Sequence, residues 1–392
     1  MTASTTNIAT GTGLEKSLVF PREEYAARMA RTRAAMAEQG IDTLVVMGPE
    51  DLYYLTGYRS MGFFAWQALI VRADGTPVML SRDLERRIYL NNSWAEEYLA
   101  YDDHQDPVTT FVGLLHDLGA QTGRIGIPSS GLSISANDVA RLARELPGAT
   151  WHDTTTLLPG LRLVKSELEI AKIRQAAEFT RIGMHAAVEA CVVGNTENDV
   201  AAACLDAMIR AGSEDPSLGP LVGAGFRAPF GHAAWERTRL GDGDLIFIEC
   251  GGAMNRYHAG AMRTVALGRM DDTRRRLEAA SRDGLNAGLA ALKPGATSGE
   301  VDAAARAAVE KHGLGEYFNH RSGYSIGLGF RTWIEGMSLR PHDDTVITEG
   351  MVLHVVPALS DDVTMMAISE TALVTAGGAE PLVNLEKQVW VR

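Results

Sequence analysis

Two side chains in the middle of this chain have the types and surroundings for acid–base and nucleophilic chemistry. His232 stands in Phe230-Gly-His-Ala-Ala, twelve residues before Asp244. With an unperturbed pKa of roughly 6.5, a histidine moves its proton near neutral pH and suits general acid–base work. Glu249 ends the apolar run Leu245-Ile-Phe-Ile. A carboxylate beside such a run is costly to bury unless it is paired or functional, so it could attack an electrophile or hold a cation. The plainer alternatives are a structural histidine and a capping or ion-paired glutamate. Cys191, Cys204 and Cys250 are odd in number and lack a CxxC spacing. They argue against a disulfide framework or a zinc knuckle and fit buried small side chains in a reducing cytoplasm.

The elements that must position these groups fall into two sets. In the first, Glu23 to Gln39 has helical apolar spacing and stops at Gly40, and Thr43 to Met47 is a short apolar strand closed by Gly48-Pro49. Ala68 to Val71 and Val78 to Leu80 flank Asp74-Gly75 as a hairpin, and Arg124 to Ile127 is a strand stopped by Pro128. This is an α/β domain without a GxGxxG or Walker loop. In the second, Ser166-Glu-Leu-Glu169 is a capping box that starts a helix towards Ala190. Further helices follow over Glu197–Ala211, Asp272–Leu292 and Ser298–His312, with strands over Leu245–Glu249, Tyr257–Leu267, Met351–Val356 and Ala367–Val374. Paired helices followed by antiparallel strands describe an α+β domain. The expected organisation is a disordered tail over 1–15, one domain over 16–163 and another over 164–392.

Bulk properties narrow the partners. At 392 residues the chain suits two domains, and 46% hydrophobic with 22% charged residues is the composition of an ordinary globular protein. A formal net charge of −12 disfavours nucleic acid and anionic membrane. No long uncharged apolar run offers a membrane span, and Met1 to Gly13 lacks the n-region and h-region of a signal peptide. A cytoplasmic enzyme acting on a small molecule is the expectation.

Three segments of the second domain are similar to the signature strands of the creatinase/aminopeptidase P (pita-bread, peptidase M24) superfamily. They are Gly243-Asp-Leu-Ile-Phe-Ile-Glu-Cys-Gly251 with Arg256 to Thr264, Ser322-Gly-Tyr-Ser-Ile-Gly-Leu328, and Glu349-Gly-Met-Val-Leu-His-Val-Val-Pro357. Leu55-Thr-Gly-Tyr58 in the first domain fits as well. The resemblance covers about residues 20 to 385. It implies an α/β creatinase-like N-terminal domain, an α+β pita-bread catalytic domain and a homodimer.

In the metallopeptidases of that superfamily two divalent ions are held by two Asp, one His and two Glu. The matching positions here are Glu249, Gly260, Tyr324, Val356 and Ser369. One carboxylate in five cannot hold a dinuclear site for hard ions. A shifted mononuclear site from His258, His354 and Glu370 is the remaining alternative; the resemblance to the metal-free branch, which includes the ectoine hydrolases, implies no metal and no other cofactor. It carries a catalytic role onto His232 and Glu249, with Tyr324 as hydrogen-bond donor. Tyr257, His258, His354, Glu370 and, in a shortened stretch, Trp333 and Glu335 are the candidate substrate-binding residues. In the N-terminal domain Arg59, Phe64 and Trp66 match a loop that closes the partner subunit's site, Arg59 suited to a carboxylate and the aromatic rings to a cation. Creatine fits less well, because the two glutamates that hold its guanidinium correspond to Met262 and Val356. The expected function is metal-independent hydrolysis of a C–N bond in a small zwitterionic amidine, ectoine first. The alternatives are a creatinase-like amidinohydrolase, an Xaa-Pro peptidase, an osmolyte lyase of the same fold or a non-catalytic binding module.

Overall fold

The computed structural model describes residues 9–10, 15–129 and 134–392. The chain divides into two compact units, Met1–Arg162 and Leu163–Arg392. Most of the expected tail over 1–15 lies outside the described residues; within it Ala9–Thr10 forms a strand, β1.

In the first unit, α1 (Arg22–Glu38), β2 (Thr43–Val46), α2 (Pro49–Thr56), β3 (Ala68–Arg72) and β4 (Val78–Arg82) are followed by α3 (Arg86–Asn92) and β5 (Glu97–Tyr101). Then come α4 (Pro107–Asp117), β6 (Gly123–Ile127), α5 (Ala136–Glu145), β7 (Ala149–Asp153) and α6 (Leu157–Arg162). Among the described residues the strands form one sheet in the order β1-β5-β4-β3-β2-β6-β7. Gly40 ends α1 with φ +65, a conformation that costs a side-chain-bearing residue steric strain. Val45, Ile70, Leu80 and Ile125 point from the sheet onto Phe111, Leu114 and Leu115 of α4.

The second unit begins with α7 (Glu167–Ala190) and α8 (Glu197–Arg210). It continues through β8 (Leu221–Ala224), β9 (Leu245–Met254), β10 (Tyr257–Ala266), α9 (Asp272–Ala291) and α10 (Ser298–Glu310). The last elements are β11 (Gly323–Ile326), β12 (Ile334–Leu339), β13 (Val352–Val355), β14 (Leu359–Ser360), β15 (Met365–Met366), β16 (Glu370–Thr375), β17 (Gly378–Pro381) and β18 (Trp390–Val391). Three helices start with the same device: Ser166 with Glu169, Thr196 with Asp199 and Thr297 with Glu300 form reciprocal capping boxes. One sheet has the order β18-β10-β9-β8 and a second β12-β11-β13-β16-β17. The sheets are tied where Gly260 N–H donates to Thr371 Oγ1 (3.1 Å) and Thr371 Oγ1 donates to Gly260 O (2.7 Å). Helix α7 lies close on β9 because Gly252 leaves no room for more; a Cβ there would meet Phe179 Cβ at 2.6 Å and Ala176 O at 2.8 Å.

Among the described residues no helix is long and apolar enough to cross a membrane. Cys191, Cys204 and Cys250 are free, buried thiols.

Candidate active site

Strand alternation sets the first wall of the site. Successive residues of a strand face opposite sides, so Phe247 and Glu249 of β9 share one face while Ile248 and Cys250 take the other. Register then places Leu221 of β8 and Met262 of β10 directly opposite Glu249. All four line one cavity of about 270 Å³, which lies within the second unit. Tyr324 of β11, Trp333 and Val356 close the opposite side, and His232 and Arg321 also reach it. The His232, Glu249 and Tyr324 of the sequence analysis thus come together. His232 sits in a turn between β8 and β9 and is exposed, with its ring at the cavity wall.

Glu249 is almost fully buried, and desolvation pushes its pKa up to about 8, against the pull of the Tyr324 hydroxyl. The apolar wall thus holds a carboxylate near neutrality, poised between its two protonation states. Behind it runs an ordered set of hydrogen bonds. Met262 N–H donates to Ser369 Oγ at 2.7 Å, and Ser369 Oγ stands 2.7 Å from His354 Nε2. His354 Nδ1 lies 3.0 Å from Tyr324 Oη, Trp333 Nε1–H donates to the same oxygen at 3.3 Å, and Tyr324 Oη donates to Glu249 Oε1 at 3.3 Å. Burial lowers the His354 pKa to about 3, so the ring is neutral and carries one proton. In one tautomer the Ser369 hydroxyl donates to His354 Nε2 and the imidazole proton sits on Nδ1, pointing at Tyr324. The Tyr324 oxygen receives two donors, and its own proton goes to Glu249. In that tautomer the tyrosine is a donor to the carboxylate. Tyr324 and His354 meet because β11 and β13 pair them directly. Arg263, fully buried, anchors the array by donating to Ser369 O at 2.7 Å and Met262 O at 2.8 Å.

Several expected substrate-binding residues lie outside the cavity wall. The Tyr257 hydroxyl is taken by Glu169 at 2.9 Å. His258 receives Ser217 N–H on Nε2 at 3.0 Å and places Nδ1 3.2 Å from Gly327 O, a satisfied buried histidine with its pKa lowered to about 3 by burial. Glu335 pairs with Lys165 and accepts Leu328 N–H at 3.2 Å. Glu370 accepts Val383 N–H at 2.9 Å and Asn384 N–H at 3.1 Å, and burial raises its pKa. His354 stands one layer behind the cavity, whereas Trp333 lines it as expected. The polar atoms of Tyr257, His258, Glu335, His354 and Glu370 are thus used within the protein, behind or beside the cavity wall. In the first unit, Arg59 donates to Ser17 O at 3.3 Å, Phe64 is 81% exposed, and Trp66 packs half-buried against Phe111 at 5.3 Å.

Sequence reasoning missed Arg321 and His320, neighbours that both line the cavity. The signal was a His-Arg pair directly before the Ser322-Gly-Tyr324 motif.

The donor set does not fit a two-metal centre. Of the five matching positions, Glu249 alone brings a carboxylate, Ser369 is bonded to His354 and Met262, and Val356 is apolar. A Cβ at Gly260 would stand 3.4 Å from the His354 ring, in ordinary contact with it. The side chains of the alternative set, His258, His354 and Glu370, are each engaged in the bonds just described. Among the described residues no group of three or more His, Cys, Asp or Glu is placed to hold a metal ion.

Residues 171–376 match the metallopeptidase family M24 and residues 28–164 the creatinase/prolidase N-terminal domain. The chain is 32% identical to the ectoine hydrolase of Halomonas elongata over 97% of its own length and 100% of that protein. It is 26% identical to the Xaa-Pro dipeptidase of Pyrococcus furiosus, covering 92% of this chain and 99% of that one. A solved dipeptidase PepE from Mycobacterium ulcerans superposes with a TM-score of 0.84 at 27% identity, covering 95% of this chain and 99% of that one.

Proposed function

The chain belongs to the M24 family of hydrolases, and from that premise we propose that it hydrolyses a C–N bond of a small cationic amidine without a metal, ectoine being the first candidate. The observation that carries this reading is Glu249: a single buried carboxylate in an apolar cavity, ringed by Leu221, Phe247, Met262, Trp333 and Val356, with His232 at the wall. A planar amidinium matches such a pocket, since the carboxylate supplies its counter-charge and the aromatic and aliphatic walls exclude water. The similarity to the Halomonas elongata ectoine hydrolase over nearly the whole chain supports the same substrate class.

The chemistry assigned to these side chains is modest and balanced. Glu249 holds the amidinium against the Tyr324 end of the cavity, where the Ser369–His354–Tyr324 array keeps its carboxylate a hydrogen-bond acceptor. Water adds to the amidinium carbon while His232 takes one of its protons, forming a tetrahedral aminal. The imidazolium returns that proton to one nitrogen, the C–N bond breaks, and the hydroxyl proton passes by way of His232 to the departing amine, so the products are an amide and an ammonium group. Arg59 and Phe64 from a second copy of the chain complete the site in this reading, as a homodimer.

The test is turnover of ectoine by full-length protein after exhaustive chelation, followed by NMR, with bound metals counted by mass spectrometry. Amide formation that persists in substoichiometric metal supports the proposal. Cleavage of Xaa-Pro dipeptides only after manganese or cobalt is restored, with no action on ectoine, would overturn it in favour of a dipeptidase.

A further inference from the structure

The cavity carries a second charge that the proposed chemistry leaves unused. Arg321 lies on its wall, half-buried, just before β11. Its Nη1 donates to Ser338 Oγ at 2.9 Å, and its guanidinium carbon stands 4.8 Å from the centre of the Tyr324 ring. Among the described residues no carboxylate pairs with it: neither Glu249, which accepts from Tyr324, nor any other acidic side chain lies within 4.0 Å. A guanidinium turned towards an apolar cavity keeps an uncompensated desolvation cost until an anion arrives.

The geometry around Arg321 is that of a prepared anion site. Ser338 fixes one nitrogen and the Tyr324 ring fixes the plane, so the remaining N–H groups of the fork are oriented before a ligand binds. Tyr324 also spaces the two charges. Its ring face carries Arg321 and its hydroxyl carries Glu249, so a cation site and an anion site flank one phenol. A compact ligand with opposite charges at its two ends neutralises both, while a simple cation leaves Arg321 bare and a simple anion leaves Glu249 bare.

We infer that Arg321 binds a carboxylate of the substrate as a forked pair and makes the site selective for zwitterions, an inference that rests on Glu249 holding the cationic end. Its role is specificity: it touches the substrate carboxylate and takes no part in the proton transfers.

The inference is tested by calorimetry and steady-state kinetics on the full-length protein, using ectoine and the same ring without its carboxylate, 2-methyl-1,4,5,6-tetrahydropyrimidine. The wild type is expected to bind ectoine about tenfold or more tightly than the decarboxylated ring, the contribution of one charge-assisted forked contact. Arg321→Met should erase that preference, leave the affinity for the decarboxylated ring within about threefold, and raise KM more than it lowers kcat. Arg321→Lys, which keeps the charge but not the fork, should be intermediate, and it decides the question if the methionine variant does not fold. Glu249→Gln should weaken both rings. Unchanged ectoine preference in Arg321→Met, or in Arg321→Lys when methionine is not tolerated, overturns the inference. If the wild type binds neither ring, the amidine reading of the site fails, and thermal shifts with acetate and proline separate the two ideas. Carboxylate-dependent stabilisation lost in Arg321→Met or Arg321→Lys keeps Arg321 as the anion site; equal shifts in wild type and variant remove it.

Discussion

At the scale of single residues, the site depends on a carboxyl whose environment works against its charge. Glu249 has a folded-state pKa of about 8, above the ordinary carboxylate value, because burial disfavours the ionised form. The folded protein therefore binds more protons than the unfolded chain between about pH 4.5 and 8, and this group makes stability fall as pH rises through that window. Glu249→Gln should flatten that slope and be more stable than wild type above pH 8, by an amount on the order of a few kcal/mol at most. Chemical denaturation at several pH values measures it, and parallel profiles for the two proteins would contradict it. Binding of an amidinium reverses the balance, since a cation favours the carboxylate; ligand uptake near pH 7 should release protons, which calorimetry in buffers of different ionisation enthalpy detects. His232 is exposed in a turn, so its removal costs little structure. His232→Ala should keep the wild-type melting temperature and ligand affinity while lowering kcat by about 10²–10⁴-fold, the usual contribution of a general acid–base. A near-normal rate on the true substrate would remove His232 from the mechanism.

At the scale of elements, the site is a product of register. The pairing of β8, β9 and β10 puts Leu221, Glu249 and Met262 in one row, and the pairing of β11 with β13 puts His354 behind Tyr324. The Ser369–His354–Tyr324 array then joins two strands of one sheet, and the residue just before β16, to a carboxylate on the other. Ser369→Ala leaves the Met262 N–H and His354 Nε2 buried without their partner, which should cost about 1–3 kcal/mol in denaturant unfolding. The packing of α7 on β9 offers an independent check. Gly252→Ala forces a methyl into Phe179 and a backbone carbonyl and should destabilise by about 1–3 kcal/mol, with little effect on ligand affinity because the added methyl meets α7. Much of this scale was legible in the sequence. The capping box at Ser166–Glu169 and the glycine at 40 gave their helix boundaries within one or two residues, since those signals are local. The side-chain direction at Tyr257, His258 and Glu335 was not, because it depends on which backbone and side-chain groups of distant segments reach them.

At the scale of the whole molecule, the family resemblance set the two-domain architecture, and the fold agrees with it. Composition and spacing alone stopped at two domains of mixed α/β character. The cavity was legible through His232, Glu249, Tyr324 and Trp333, the members carried by sequence motifs. Arg321 was not, because nothing in a linear sequence says that a positive side chain lacks a counter-ion. If the loop from Arg59 to Trp66 completes the site of a second copy, the protein sediments as a dimer. Mixing inactive Arg59→Ala with inactive Glu249→Gln protein through unfolding and refolding should then restore about a quarter of wild-type specific activity, because half of the dimers are mixed and each mixed dimer holds one intact site. Recovery of no activity would place that loop outside the catalytic site.

The closeness of His354 to Gly260 has a consequence for redesign. A Cβ at 260 would stand 3.4 Å from the imidazole ring, in ordinary contact, so a longer acidic side chain there would have to share space with the ring that bonds Tyr324 and Ser369. Installing a metal-ligand set by design therefore starts beside a working array, and three further positions, Tyr324, Val356 and Ser369, lack a carboxylate or imidazole. Two of those positions, Tyr324 and Ser369, are themselves members of the array, so exchanging them for ligands dismantles it.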